Sequence, residues 1–333
     1  MQPYLNTLIY LEVLSQMFSR RLLRIKIMQG LYAFYKAGDK TIEFAEKELN
    51  VSLTRTYYLY HLLMLLIIDL SNYAQKKIEI AREKKVPSGH DLNPNKNFIE
   101  NRLISQLENN KQLSQYLQSH SLNWVQTPEL IKGLFLKLEE SPTYSNYMAI
   151  KQPNYSQDRQ FVIDLYQDVI NEYDPLYQVL EEQSIYWNDE VDFIIMMIIK
   201  TLKDFKEDQK PDTRLMPEFR DEEDEEFTRV LFRKTILNKD ESLEYIKKYT
   251  ENWDPERLAF IDLLLMQMAI CEMIEFPFIP TKVTLNEYID ISKYYSTRNS
   301  NVFINGVLDK ITHFLKEENK IIKKGKGLIG ETK

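Results

Sequence analysis

Glycine is scarce: 8 residues in a chain of 333, where an average usage of roughly 7% would give about 23. A chain so poor in glycine has few tight turns and few loops whose backbone could cradle a phosphate. That argues against doubly wound α/β folds and β-sandwiches, and for long helices with few connections. The single cysteine, Cys271, excludes an internal disulfide framework and a cysteine-based metal site. The four histidines, His61, His90, His120 and His313, lie far apart and none forms HExxH or another ligand spacing. No stretch approaches the ~18 consecutive apolar residues of a spanning helix; the longest runs, Leu62–Ile68 and Ile194–Ile199, have the size of core segments, so no membrane is expected. The net charge of −7 means that binding to nucleic acid would need a local basic patch.

What is present is helical periodicity over nearly the whole length. The pattern predicts helices over Ser19–Lys36, stopped near Gly38, over Thr41–Leu49 and over Leu53–Lys85, with a break at Val86–Gly89. Asn95–Ser119 is polar and helix-compatible. Thr127 and Pro128 form a helix start, and further helices are expected at about 128–140, 157–172, 174–184 and 188–205. The stretch Lys203–Glu226 holds eleven acidic and five basic residues and reads as a solvated linker running into a helix start, where acids suit the dipole. Strong helical patterns return over Glu226–Leu237, Asp240–Tyr249, Pro255–Ile274, Pro280–Tyr295 and Asn299–Lys316. The lysine-rich tail from Lys316 is expected to be disordered.

These patterns divide the chain into 17–90, 91–215 and 216–316, followed by a basic tail over 317–333. Residues 1–16 differ in character from the basic helix after them. Nothing positive precedes their apolar stretch, and arginines come after it, so they do not read as a signal peptide. Met17 is a candidate natural start, which peptides from residues 1–16 in a native digest would refute. With one cysteine, a reduced cytoplasmic setting fits.

The first helix carries the strongest charge signal. From Val13 to Gly38 there is no acidic residue, while Arg20, Arg21, Arg24, Lys26 and Lys36 are all basic. Arg20, Arg21 and Arg24 share one face, which Met28, Leu31 and Tyr35 continue, so the face begins basic and becomes apolar. Arginines at a helix N-terminus oppose the dipole at a cost of about 0.3–1 kcal/mol per charge. An anion there would turn the penalty into a binding site, and a nucleic-acid phosphate is the natural candidate; the alternative is a frayed, solvated first turn.

Near the C-terminus, Pro280-Thr281-Lys282-Val283 opens a helix whose polar side carries Lys282, Glu287 and Asp290. Another begins after Arg298-Asn299-Ser300, where Gly306 costs about 1 kcal/mol against Ala and is expected to admit a close neighbour. Catalytic motifs are missing. There is no GxSxG and no P-loop. Cys271 lies among Leu263, Leu264, Met266 and Ile270 and reads as a buried thiol. Gly325-Lys326-Gly327-Leu328-Ile329-Gly330 matches GxGxxG literally, but no strand precedes it and no βαβ unit surrounds it.

The stretch Ser19-Arg20-Arg21-Leu22-Leu23-Arg24-Ile25-Lys26-Ile27-Met28-Gln29-Gly30-Leu31-Tyr32 resembles the opening helix of the bacterial transcription antitermination factor NusB family. Phe227–Leu237, Asp262–Met273, Pro280-x-Lys282-Val283-x-x-Asn286-Glu287 and Phe303-Ile304-Asn305-Gly306-Val307-Leu308-Asp309-Lys310 follow the family pattern in order. The match covers about 17–40 and 220–316, and residues 91–215 read as a helical insert.

The resemblance implies an all-α fold of NusB-like helical bundles. It implies a non-enzymatic, cofactor-free factor that binds single-stranded boxA-type RNA of ribosomal RNA leaders, pairs with the ribosomal protein NusE and joins the RNA polymerase elongation complex. Carried over by position, Arg20, Arg21, Arg24, Lys26, Gln29, Lys282, Asn299, Ser300 and Phe303 fall on the RNA side, with Phe303 a candidate stacking platform. Tyr32, Glu256 and Asp262 fall where the family meets NusE. Leu22 and Leu23 interrupt the usual arginine run, and the chain is acidic overall. The rival readings are a helical protein–protein scaffold that works through the insert, and an accessory domain of an RNA methyltransferase. Eight glycines and one helical cysteine speak against the second.

Overall fold

The computed structural model describes residues 17–187, 190–208, 211, 213–250 and 259–328. Residues 1–16 and Glu256 lie outside them. Among the described residues the fold is all-α, with no strand. In chain order the helices are α1 (Arg20–Ala37), α2 (Ile42–Arg82), α3 (Gly89–Leu92), α4 (Arg102–Glu108), α5 (Lys111–Ser119), α6 (Pro128–Glu139), α7 (Pro142–Met148), α8 (Tyr155–Leu165) and α9 (Asp174–Gln183). They continue with α10 (Val191–Asp204), α11 (Glu222–Leu237), α12 (Lys239–Tyr249), α13 (Phe260–Glu275), α14 (Thr281–Tyr295) and α15 (Ser300–Glu317). The chain folds as two compact units. The first takes the residues up to Leu53 and from Pro217 onward, and the second is Thr54–Met216.

In the first unit, α1 starts where the Ser19 hydroxyl accepts a bond from the Leu22 N–H (3.2 Å). It stops where Gly38 takes φ +75° and its N–H reaches the Phe34 carbonyl. Both ends follow the usual preference for a serine N-cap and a glycine in left-handed backbone. Leu23, Ile27 and Leu31, four residues apart, are fully buried, each contributing about 1.5–3 kcal/mol of burial. Gly30 packs closely: a Cβ there would stand 3.2 Å from the Phe232 ring of α11 and 3.6 Å from Leu49 of α2.

Helix α13 is buried nearly all round from Leu264 to Met273, as the central helix of a bundle must be. On α15, Ile304, Val307, Leu308, Ile311 and Leu315 form the inward stripe. The acidic stretch is not a loose linker throughout. Asp221 caps α11 by accepting from the Asp224 N–H, and Glu222–Glu225 form the helix's first turn, where acids suit the positive end of the dipole.

The tail is more ordered than its composition suggests. The Lys323 ammonium donates to the Met273 and Phe276 carbonyls at the end of α13 (2.9 and 3.0 Å). The Lys324 N–H donates to the Pro277 carbonyl, and Gly325–Leu328 closes as a 3-10 turn. A lysine on unsatisfied C-terminal carbonyls is a favourable helix cap, which replaces the expected disorder through residue 328. Gly306 also differs from expectation: it is exposed, and a Cβ there would meet nothing within 4 Å, so close packing does not account for it.

In the second unit, the rest of α2 supplies the apolar axis. Its 18-residue apolar window is long and hydrophobic enough to cross a membrane by composition, yet 67% of it is buried inside the protein, as in a core helix. Trp124 Nε1–H donates to the Leu62 carbonyl (3.0 Å) and the Tyr166 hydroxyl to the Leu63 carbonyl (2.8 Å). Asn101 and Asn110 cap α4 and α5 through their side chains, splitting the helix expected over Asn95–Ser119. Thr41–Leu49 and Leu53–Lys85, by contrast, merge into α2, because Asn50-Val51-Ser52 contains neither proline nor glycine. The sequence pattern placed a boundary near residue 90; the compact units divide at Leu53, inside α2.

Candidate nucleic-acid interface

The first turn of α1 places its three arginines next to acids that are distant in sequence. Arg24 is 3% exposed. Its Nε and Nη2 donate to both oxygens of Glu272 on α13, each at 2.7 Å, and its guanidinium lies 5.3 Å from the Phe227 ring centroid. Glu272 is fully buried and also accepts from the Thr284 hydroxyl (2.8 Å) and the Tyr288 hydroxyl (2.9 Å) of α14. Burial opposes charge on both partners, but their mutual attraction and these donors win: the Arg24 pKa is held above its usual value and that of Glu272 below it. The pair is ionised, and its bidentate geometry satisfies a charge that alone would be very costly to bury.

Arg21 is 21% exposed by side chain. Its Nε and Nη2 donate to the two oxygens of Glu287 (2.9 and 2.7 Å), and Nη2 also to Asp290 (3.3 Å). Asp290 in turn accepts from the Lys293 ammonium (2.7 Å). Arg20, 31% exposed, donates from Nε to Asp224 (2.8 Å), and its Nη2 stands 3.7 Å from Glu223. The anion that the helix end needs is thus first supplied by the protein's own carboxylates.

The resemblance implied an RNA-facing surface for all these cations, and for two of them the structure corrects it. Arg24 is an interior brace, because Glu272 sits opposite it in the core. Lys26 is 4% exposed and donates to the Ser52 hydroxyl (3.2 Å); burial pulls its pKa down to about 7. Arg20 and Arg21 are half-buried, while Gln29, Lys282 and Asn299 are exposed and Phe303 is half-buried.

Ser300 is buried, and its hydroxyl donates to Asp262 (2.8 Å). Asp262, expected at a partner surface, is itself 4% exposed and accepts from Ser296 as well. It ties the turn between α14 and α15 to the start of α13, so both residues are corrected to structural roles. Tyr32 remains at the surface, 39% exposed, its ring edge-on to Phe260 (5.5 Å) beneath the Lys36 ammonium.

The carboxylates that engage the arginines were not evident from the sequence. Glu272 carried a signal: a lone acid in the apolar run Leu263–Met273 needs a buried cation. Cys271 is buried as expected, with its thiol pushed up to about 12 by burial. Among the described residues no group of His, Cys, Asp and Glu could hold a metal ion.

The fold is therefore a helical protein whose opening basic helix is laid against a C-terminal bundle. The model of the NusB family matches residues 194–313. The transcription antitermination protein NusB of Salinibacter ruber is 35% identical over 148 residues, covering 44% of this chain and 86% of that protein. That of Chloroherpeton thalassium is 42% identical over 85 residues, covering 26% and 40% respectively. That of Natranaerobius thermophilus is 36% identical over 90 residues, covering 27% and 65%. A solved NusB structure from T. maritima is 24% identical, covering 51% of this chain and 98% of that one, with a TM-score of 0.28. The chain belongs to the NusB family and is longer than the relative it covers to 86%; the family match begins at residue 194, within the second unit.

Proposed function

We propose that this chain is a non-enzymatic, RNA-binding transcription antitermination factor that acts by assembly in the cytoplasm. It binds single-stranded boxA-type RNA of ribosomal RNA leaders together with NusE, and the pair joins the elongating RNA polymerase. The observation that carries this reading is the 35% identity across 86% of a NusB protein. Arg20, Arg21, Gln29, Lys282, Asn299 and Phe303 then form the RNA side. Phosphate contacts from the cations set affinity, and base edges and stacking on Phe303 set specificity. A basic partner such as a ribosomal protein would add phosphate contacts to an acidic chain. Of the residues expected to face NusE, Tyr32 stays at the surface, beside Phe260 and Lys36.

The test is fluorescence anisotropy of a boxA oligoribonucleotide over a salt series, with and without NusE, beside a scrambled RNA. Selective, salt-sensitive binding that NusE enhances is expected. Equal affinity for the scrambled RNA, even with NusE, would refute the reading.

A second reading has its own observation. Thr54–Met216 is a compact unit that could serve as a protein-binding scaffold. Excising it while keeping the first unit folded should preserve RNA binding and abolish recruitment of any protein that the unit holds.

A further inference from the structure

We infer that Asp290 and Glu223 set the affinity of the RNA face by competing with phosphate for Arg21, Lys293 and Arg20. The inference rests on the RNA-binding reading above and goes beyond it, because it assigns a role to acids rather than to cations. The α1 arginines meet two kinds of carboxylate. Asp224 and Glu272 are fully buried and cannot leave their cations without unpaired charge being left in the interior. Glu223 is 81% exposed and Asp290 24% exposed by side chain. Each can turn into water once a phosphate takes its place.

The geometry grades the two. Glu223 touches only the far end of Arg20, at 3.7 Å. Asp290 holds two cations at once, Arg21 Nη2 at 3.3 Å and Lys293 Nζ at 2.7 Å, so a phosphate that takes its place can meet both while Arg21 stays on Glu287. Glu287, bidentate on Arg21 and 3.4 Å from Arg24, holds Arg21 in place throughout.

The exchange has a signature in salt dependence. Phosphate binding to a cation releases counterions from the RNA, and the binding constant falls with salt accordingly. A carboxylate released at the same time gathers a cation from solution and offsets part of that release. Removing the rival carboxylate should therefore both tighten binding and steepen the salt slope.

The experiment measures anisotropy of the boxA oligoribonucleotide with NusE over a salt series, for the full chain and for Asp290→Asn, Glu223→Gln and Glu226→Gln. Glu226 is the control. It lies on the same helix as Glu223 but pairs with Arg229 (2.7 Å), so its removal changes net charge equally without freeing an α1 arginine. Exposed pairs of this kind predict a gain of roughly two- to fivefold for Asp290→Asn. A smaller gain is expected for Glu223→Gln, and little change for Glu226→Gln, with the slope steepest in Asp290→Asn. Unchanged or weaker binding in Asp290→Asn, with the wild type bound, overturns the inference alone. An equal gain in Glu226→Gln overturns it too, by reducing the effect to net charge. Absence of RNA binding in every protein, wild type included, overturns the RNA-binding reading and the inference with it.

Discussion

Each unit buries a carboxylate against an arginine, Glu272 in the first and Asp158 in the second, and the two are neutralised differently. In the first unit Glu272 faces an arginine that is itself buried, so the full ion pair lies in the core. In the second unit Asp158, 3% exposed, accepts from the Tyr147 hydroxyl (2.8 Å) and from Arg102 Nε (2.7 Å). Arg102 stays 42% exposed by side chain and also reaches Glu207 and the Pro153 carbonyl. Water therefore shares the neutralisation of Asp158 but not that of Glu272. An arginine in the core is committed to its acid; an arginine at the rim keeps donors to spare. The same rule separates Arg24 from Arg20 and Arg21 on a single helix turn, and so divides structure from proposed recognition.

The comparison can be broken in several places. The largest expected effect is Glu272→Gln, which leaves Arg24 buried without its bidentate partner, with only Glu287 at 3.4 Å, and should cost about 3–5 kcal/mol in chemical denaturation. A cost below about 1 kcal/mol would mean that water reaches the pair. Asp158→Ala should cost about 2–3 kcal/mol, the penalty for stranded donors at Tyr147 and Arg102.

Glu218 tests the first unit differently. Burial, with help from Glu225, raises its pKa to about 7, so the folded state holds a proton that the unfolded state releases near 4.5. Stability from this group is full below about pH 4.5 and is lost as pH rises toward 7. Glu218→Gln should gain about 1–2 kcal/mol over wild type at pH 8, after discount for its partial exposure, and nothing at pH 4. A gain independent of pH would contradict the assignment. The smallest effect belongs to Glu207→Gln, at most about 1 kcal/mol, because this carboxylate, 62% exposed by side chain, meets Arg102 in water.

Much of the architecture was legible in the sequence. The limits of α1 followed from Ser19 and Gly38, and those of α14 and α15 from Pro280 and the Arg298–Ser300 turn, because these are local signals that tertiary packing left in force. The site was legible only as a set of cations. Arg24 and Arg21 looked alike along the chain, since nothing within a few residues distinguishes them. The difference lies in Glu272 and Glu287, about 250 residues away, and pairing over that distance has no local pattern. Asp262 and Ser300 failed for a related reason. Asp262 opens a helix and Ser300 follows a turn, both usual places for exposed polar groups, but here the two close on each other. The order of the tail was hidden because its lysines look like solvated charge, whereas Lys323 caps helix carbonyls.

The central claim is that the first turn of α1 carries an interior brace and an RNA-binding group on neighbouring positions. Its most direct test is the salt dependence of boxA RNA binding, with NusE present, for wild type and the double variant Arg20→Ala/Arg21→Ala, each checked for a cooperative melt. The account predicts a folded variant with weaker binding and a log–log salt slope shallower by roughly 0.7 for each phosphate of single-stranded RNA that the variant no longer neutralises. A folded variant with the wild-type affinity and slope would contradict it, and would leave all three arginines as braces for the bundle.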